Sequence, residues 1–283
     1  EQVDHGRIVG LVSLDWRKAY DTVTLPVLRA RLLEKPIHIN LSAWIWAFLN
    51  GRRFFVEVQH SSSSTVRQHH GLPQGCILSP LLWIIYVDSL LRTLEDLTFP
   101  HTHPAYRLTG LAAYADDVCF WCSGNSQEEV DYKIMHTLTI IQQWATETGM
   151  ALSEEKTALI YFRRRCLPRI TPGTIHINDT VLEPQAVIRL LGLFFDAGLT
   201  GKAQVDHICT QARRRVSVIR RLYRTSTLTL RKLYNQYILW IFTTGSGMWP
   251  FGLSATNWSV LEGCYTHSAK AILGARRLSS PLK

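Results

Sequence analysis

Gly110 to Cys122 reads GLAAYADDVCFWC, two apolar runs joined by the tetrapeptide YADD at Tyr114–Asp117. Strand-forming residues on both sides of two adjacent carboxylates predict a tight hairpin with Asp116 and Asp117 at its turn. Crowding two negative charges at the tip of an apolar element is costly unless a cation neutralises them. Magnesium suits such a site when a phosphate-bearing substrate is also bound.

A second acidic position lies a hundred residues upstream. Ile8 to Leu14 (IVGLVSL) reads as a buried strand that delivers Asp15 at its end. If that strand neighbours the hairpin, three carboxylates converge. Such a cluster can hold two divalent ions about 3.5–4 Å apart, the geometry of in-line displacement at phosphorus. Without cations, three convergent carboxylates repel too strongly to persist.

The rest of the chain predicts an α+β part followed by an all-α part. Helices are expected over Leu25–Glu34, with Thr24 as N-cap and Pro26 in its first turn, and over Leu41–Leu49, stopped by Gly51. Phe54–Gln59 alternates as a strand, with Val66–His69 returning antiparallel. The loop GLPQG (71–75) leads into a helix from Ser79 and Pro80 to about Glu95, with Ser79 a candidate N-cap. Ser126 and Glu129 form a capping box for a helix that ends at Gly149. A strand over Leu159–Phe162 follows, then a hairpin turning at Asn178–Asp179 between 174–177 and 181–182, and a strand over Val187–Phe195. Helices are expected over 203–223, 228–242 and 257–273. The domain division is placed in DAGLTG (196–201), giving domains 1–198 and 199–283.

With 283 residues and 46% apolar content, the chain can bury a sizeable core. Thirty-one Lys and Arg against twenty-two Asp and Glu leave a net charge of +9, which favours polyanions such as nucleic acid. Nine of the basic residues fall between 200 and 232 against one acid, Asp206. A solvated helix face is the alternative reading of that run. No apolar stretch approaches the roughly 20 residues of a membrane span. The six cysteines lack paired spacing; Cys119 and Cys122 fall on opposite faces of their strand, and reduced intracellular thiols are expected.

LDWRKAYD (14–21), GLPQGCILSP (71–80) and YADD (114–117), in that order, resemble the palm motifs of reverse transcriptases, above all those of non-LTR retrotransposons. GMALSEEKTALIYF (149–162) is similar to the family's motif with a strand-borne lysine, and RLLGLFFD (189–196) to its primer-grip hairpin. The resemblance covers residues 7 to about 200. It implies a palm, an antiparallel sheet with helices on one face, followed by a helical thumb.

Position by position, the resemblance implies Asp15, Asp116 and Asp117 as metal ligands, with the Trp16 backbone carbonyl as a further one, around two Mg2+ ions or their Mn2+ counterparts. Tyr20 would pack against the incoming sugar and exclude a 2′-hydroxyl; a core aromatic is its alternative. Gly71, Gln74, Gly75 and Tyr114 would line the nucleotide site. Lys156 would protonate the departing pyrophosphate, its alternative being a solvated strand end. Gly192 and the arginines Arg213, Arg214, Arg220, Arg221 and Arg224 would grip template and primer, with Val216, Val218, Ile219 and Leu222 buried behind them. The implied partners are an RNA template, a DNA primer, deoxynucleotides and the other domains of a parent polyprotein, and the implied location is nuclear.

The family's finger motifs are not read before Asp15, and no endonuclease, zinc-binding or RNase H segment is read. The fingers are therefore expected to be largely missing and the fragment inactive by itself. Two other readings stand beside the polymerase: a group II intron-type reverse transcriptase, and a non-catalytic palm–thumb remnant that binds nucleic acid, whose expected loss of an aspartate is not seen.

Overall fold

In a computed structural model that describes residues 2–163, 175–222, 225–247, 250 and 253–273, the IVGLVSL run is one of the two inner strands of an antiparallel sheet. Two compact units divide the chain, Glu1–Pro184 and Gln185–Lys283. The first runs β1 (Ile8–Leu14), α1 (Ala19–Thr22), α2 (Leu25–Glu34), α3 (Ile39–Leu49), β2 (Arg53–Phe54), β3 (Glu57–Val58), β4 (Ser61–Ser62), β5 (Val66–Arg67), α4 (Ser79–Asp96), β6 (Gly110–Tyr114), β7 (Asp117–Gly124), α5 (Gln127–Thr148), β8 (Ala158–Phe162), β9 (His176–Ile177) and β10 (Thr180–Val181). The second holds β11 (Val187–Leu190), β12 (Leu193–Asp196), α6 (Lys202–Arg220), α7 (Thr227–Tyr234), a π-helical turn over Asn235–Leu239, α8 (Trp240–Thr243) and α9 (Ala255–Leu273).

The main sheet has the order β6-β7-β1-β8, every neighbour antiparallel. Alternation along the strands decides which face is covered. Ile8, Val12 and Leu14 share one core with Val118, Phe120 and Cys122 of β7, Leu159 and Tyr161 of β8, and Ile134, Leu138 and Ile141 of α5. Leu11, Cys119 and Trp121 on the other face are half-buried. Each large aliphatic side chain removed from water contributes about 1.5–3 kcal/mol. Gly10 is what lets α5 lie so close: a Cβ there would sit 2.6 Å from Val130 Cγ1 and 2.7 Å from Ile134 Cδ1.

Helix α5 starts as its capping box predicts, Ser126 Oγ accepting from Glu129 N–H at 3.3 Å, although the Glu129 carboxylate reaches back to Asn125 N–H, at 2.9 Å. Its buried Lys133 donates to Ser123 O at 2.8 Å and to Glu129 Oε1 at 2.6 Å. Thr24 occupies the N-cap position of α2 but its hydroxyl donates to Thr148 O, 3.0 Å away, so it ties α2 to the end of α5 instead of capping. Ser79 is the first residue of α4 rather than its cap, and its hydroxyl donates to Pro73 O at 2.6 Å. The strand expected over 54–59 breaks into two-residue ladders, β2 with β5 and β3 with β4. These strands are exposed throughout, so no core enforces a longer register.

In the second unit the segment 187–196 is a hairpin rather than one strand, turning at Leu191 and Gly192. It belongs with the helices. Leu193 shares a core with Val205, Ile208, Ile241 and Leu261, and Phe194 N–H donates to the buried Gln204 Oε1, 2.9 Å away. The compact division therefore falls at 184/185, ahead of the expected 198/199. Val216 and Ile219 are buried, but Val218 and Leu222 are exposed. The inward stripe of α6 runs through 205, 208, 212, 216 and 219; Val218 lies off it, and Leu222 follows the helix end.

A methyl group at position 10 must displace two aliphatic side chains, so Gly10→Ala is expected to destabilise the first unit by roughly 1–3 kcal/mol in a denaturant titration. Gly263→Ala, with open space around it in α9, is expected to be neutral or stabilising by up to about 1 kcal/mol. The Lys133 hydrogen bond, then that of Asn125 N–H, holds the Glu129 carboxyl below the usual range. A depressed carboxyl contributes stability above its unfolded pKa and loses it as pH falls through the folded one. Glu129→Gln is thus expected to lower stability at neutral pH and to flatten the acid limb of a stability–pH curve.

Candidate active site

The register of β1 on β7 ends with Leu14 opposite Val118, so the next position outward sets Asp15 against Asp117. Tyr114 pairs with Asp117 across the β6–β7 hairpin, which leaves Ala115 and Asp116 as its two turn residues. Partial burial, then the charges of Asp116 and Asp15, push the Asp117 carboxyl above its ordinary range. The three predicted carboxylates are thereby brought together at one end of the sheet. Tyr114 is exposed beside them.

The turn holds an unexpected residue. Ala115 has φ 53°, the left-handed region, which costs an L-residue about 1–2 kcal/mol. Its carbonyl accepts from the indole N–H of Trp83 in α4, 2.8 Å away. One such bond contributes about 0.5–1.5 kcal/mol, enough to offset much of the strain.

Asp15 is held by its backbone. Its carbonyl accepts from Ser153 N–H at 2.7 Å, and Arg17 N–H donates to Ala151 O at 2.8 Å. Those contacts hang the turn that carries Lys156, whose Nζ lies 3.4 Å from Asp15 Oδ2. The lysine side chain is 71% exposed. The buried Oδ2 makes no hydrogen bond. Trp16 is buried against the Trp144 ring, centroids 5.5 Å apart.

Tyr20 stacks on Trp83 at 5.6 Å and 22°, and burial followed by the Asp116 charge raises its phenol pKa. Its carbonyl accepts from Leu72 N–H at 2.7 Å, which seats the 71–75 loop beside α1. Gly71 is required there: its φ is +84°, and a Cβ would lie 2.7 Å from Asp21 O. Gln74 Nε2 donates to Asp21 Oδ1 at 3.0 Å, and Gly75 stands in open space. The sequence reading missed Trp83 and the Asp21–Gln74 pair. The tryptophan's spacing within SPLLWIIY marks only a helix face.

Gly192 and the arginines lie in the second unit. Arg213, Arg214, Arg220 and Arg221 are exposed, while Arg224 lies outside the described residues. Arg215, left out of the predicted set, donates to Tyr237 O at 2.8 Å and lies 4.7 Å over both Tyr237 and Trp240. It braces the helices.

Among the described residues no group of three His, Cys, Asp or Glu side chains is arranged to hold a metal ion as it stands. The donors nevertheless suit a hard cation: three carboxylates, one with a buried oxygen that no hydrogen bond satisfies. Because burial, then the neighbouring charges, oppose ionisation of Asp117, Asp117→Asn is expected to raise the melting midpoint of the chain in EDTA by roughly one to three degrees. A lowered midpoint would show that the carboxylate is structural.

The family model described as reverse transcriptase (RNA-dependent DNA polymerase) matches residues 2–195. The chain is 26% identical over 270 residues to a probable RNA-directed DNA polymerase from transposon BS of Drosophila melanogaster, covering 92% of this chain and 28% of that protein. It is 28% identical over 210 residues to a Pol polyprotein from the type-1 retrotransposable element R2 of Popillia japonica, covering 72% and 33%. The chain thus spans about a third or less of the curated relatives it matches. Among solved structures, apo telomerase from Candida tropicalis aligns over 67% of this chain and 34% of its own, at 13% identity and TM-score 0.44, too distant to carry an argument. With the aspartates at the ends of β1 and β7 lying inside a match that covers most of the sequence, the chain belongs to the reverse transcriptase family.

Proposed function

We propose that this chain carries the palm and thumb of an RNA-directed DNA polymerase from a non-LTR retrotransposon, extending a DNA primer on an RNA template with deoxynucleotides. The observation that supports this reading most directly is the register that ends with Leu14 opposite Val118, so that Asp15 and Asp117 are the next residues outward, with Asp116 beside them. On this reading the first unit is the palm, and the hairpin and helices of the second are primer grip and thumb.

Asp15, Asp116 and Asp117, with the carbonyl of Trp16, would hold Mg2+, or Mn2+ in its place. When bound, the ions supply Lewis acidity at the primer 3′-hydroxyl and neutralise the phosphates. The chain's own residues supply the remainder. Tyr20, fixed by its stack on Trp83, presents a ring that leaves no room for a 2′-hydroxyl. Gly71 and Gly75 let backbone approach the nucleotide, and Gln74, held by Asp21, faces template or nucleotide. Lys156 balances the charge of Asp15 and, on its exposed stem, holds the proton for the departing pyrophosphate. Exposed Arg213, Arg214, Arg220 and Arg221, with Arg224, bind duplex phosphates and position the duplex without reading its sequence. Other domains of a parent polyprotein, and action in the nucleus, complete the proposal.

Primer extension on an RNA template by the full open reading frame that carries this chain is the test. Asp116→Asn is expected to lower extension by at least about a hundredfold, the scale of losing an electrostatic group at the reacting centre. Extension undiminished by that change would remove the metal assignment. Tyr20→Ala is expected to admit ribonucleotides while deoxynucleotide extension persists. Arg220→Ala with Arg221→Ala should weaken template–primer binding and reduce the slope of log K against log salt by about one to two. Equal slopes for mutant and wild type would exclude those two side chains from the duplex.

A further inference from the structure

The YADD turn is built on a left-handed alanine, and one buried side chain from another element reaches it. Trp83 of α4 is completely buried. Its indole N–H donates to Ala115 O at 2.8 Å, and its ring stacks on Tyr20 at 5.6 Å. One indole therefore touches both the turn that carries Asp116 and the aromatic ring that closes the sugar pocket. Among the described residues no other side-chain hydrogen bond to the Ala115 carbonyl is found.

We propose that Trp83 is a positioning residue: its N–H holds the strained turn so that Asp116 and Asp117 face Asp15, and its ring fixes Tyr20 in register with them. The inference rests on the reading of these three aspartates as a metal centre. A hydrogen bond to the carbonyl of the strained residue restrains its peptide plane, and with it the direction in which the following Asp116 leaves the backbone. An alanine released from that bond relaxes towards negative φ and carries Asp116 with it. Apolar packing alone could not do this, because the ring without its N–H exerts no directional hold on a carbonyl.

The probe is Mn2+ itself, titrated into the 283-residue chain and followed by electron paramagnetic resonance. Trp83→Phe retains an aromatic ring against Tyr20, deletes the donor and leaves a small cavity where the rest of the indole packed. It is expected to weaken Mn2+ binding by about tenfold, the factor that one hydrogen bond supplies. Adding Ala115→Gly, which adopts the left-handed turn freely, should restore most of that loss. A purely structural role for Trp83 would lower the melting midpoint without such rescue, since a glycine in the turn cannot refill space around residue 83. Wild-type Mn2+ affinity in Trp83→Phe, with Asp116→Asn weakened, would overturn this proposal alone. Affinity unchanged by Asp116→Asn would overturn the metal centre and this proposal with it. Should Trp83→Phe fail to fold, NMR of the wild-type chain decides. The indole proton with a nuclear Overhauser contact to the Tyr20 ring should exchange slowly and broaden with Mn2+; exchange at the free-indole rate would overturn the assignment.

Discussion

Mutual repulsion of carboxylates at the ends of β1 and β7 is the constraint around which the first unit is arranged. Apolar pairing brings the strands together as far as Leu14 and Val118, and the acids follow as the next residues outward. The sheet therefore supplies the free energy that the acidic end consumes. Few groups near the site offset the charge. The exposed Lys156 comes within 3.4 Å of the buried Asp15 Oδ2, an oxygen that accepts no hydrogen bond. A cluster so weakly compensated is poor design for stability and suitable design for capturing a cation with a phosphate ligand.

Rigidity around the acids comes from aromatic side chains rather than from ion pairs. Tyr20 stacks on Trp83, Trp83 on Tyr86, Tyr86 meets Trp144 edge to face, and Trp144 meets Trp16. The succession begins in α1, passes through α4 and α5, and returns to the residue after Asp15. Polar tips anchor it: the Tyr86 hydroxyl donates to Thr148 O at 2.8 Å and the Trp144 indole to Ser89 Oγ at 3.0 Å. Each ring pair adds about 0.5–1.5 kcal/mol beyond its burial. Such packing has discrete solutions, so displacing one ring displaces its neighbours.

What could be read from the sequence was local. The apolar runs bounding YADD, the Ser126–Glu129 box and the turn at Asn178–Asp179 are short-range patterns, and each appears where its residues predict. The β1 strand could be read because an inner strand is apolar almost throughout. What could not be read depends on contacts that no run of neighbouring residue types announces. Ser79 looks like a cap until Pro73 O is seen within its reach. The 187–196 hairpin looks like palm sheet until Leu193 is found among the helical core. Trp83 is one apolar residue among many in α4, and nothing in its neighbours marks the Ala115 carbonyl 32 residues away. Strain at Ala115 was equally hidden, since a left-handed alanine has no compositional signal.

The arginines of α6 show how far periodicity can separate structure from surface within a single basic run. Arg213, Arg214 and Arg215 are consecutive, so successive side chains point about 100° apart around the helix. Tyr237 of the π-helical turn and Trp240 of α8 cover the Arg215 guanidinium, and the Tyr237 carbonyl accepts from it. Stacking on two rings while donating to a carbonyl uses the planar fork that a lysine lacks. Arg213 and Arg214 have no comparable apolar cover and stay in water, as do Arg220 and Arg221 nearly two turns on. A basic run read by composition alone would assign all of these to a polyanion. Helix geometry withdraws one of them to hold the helices in place.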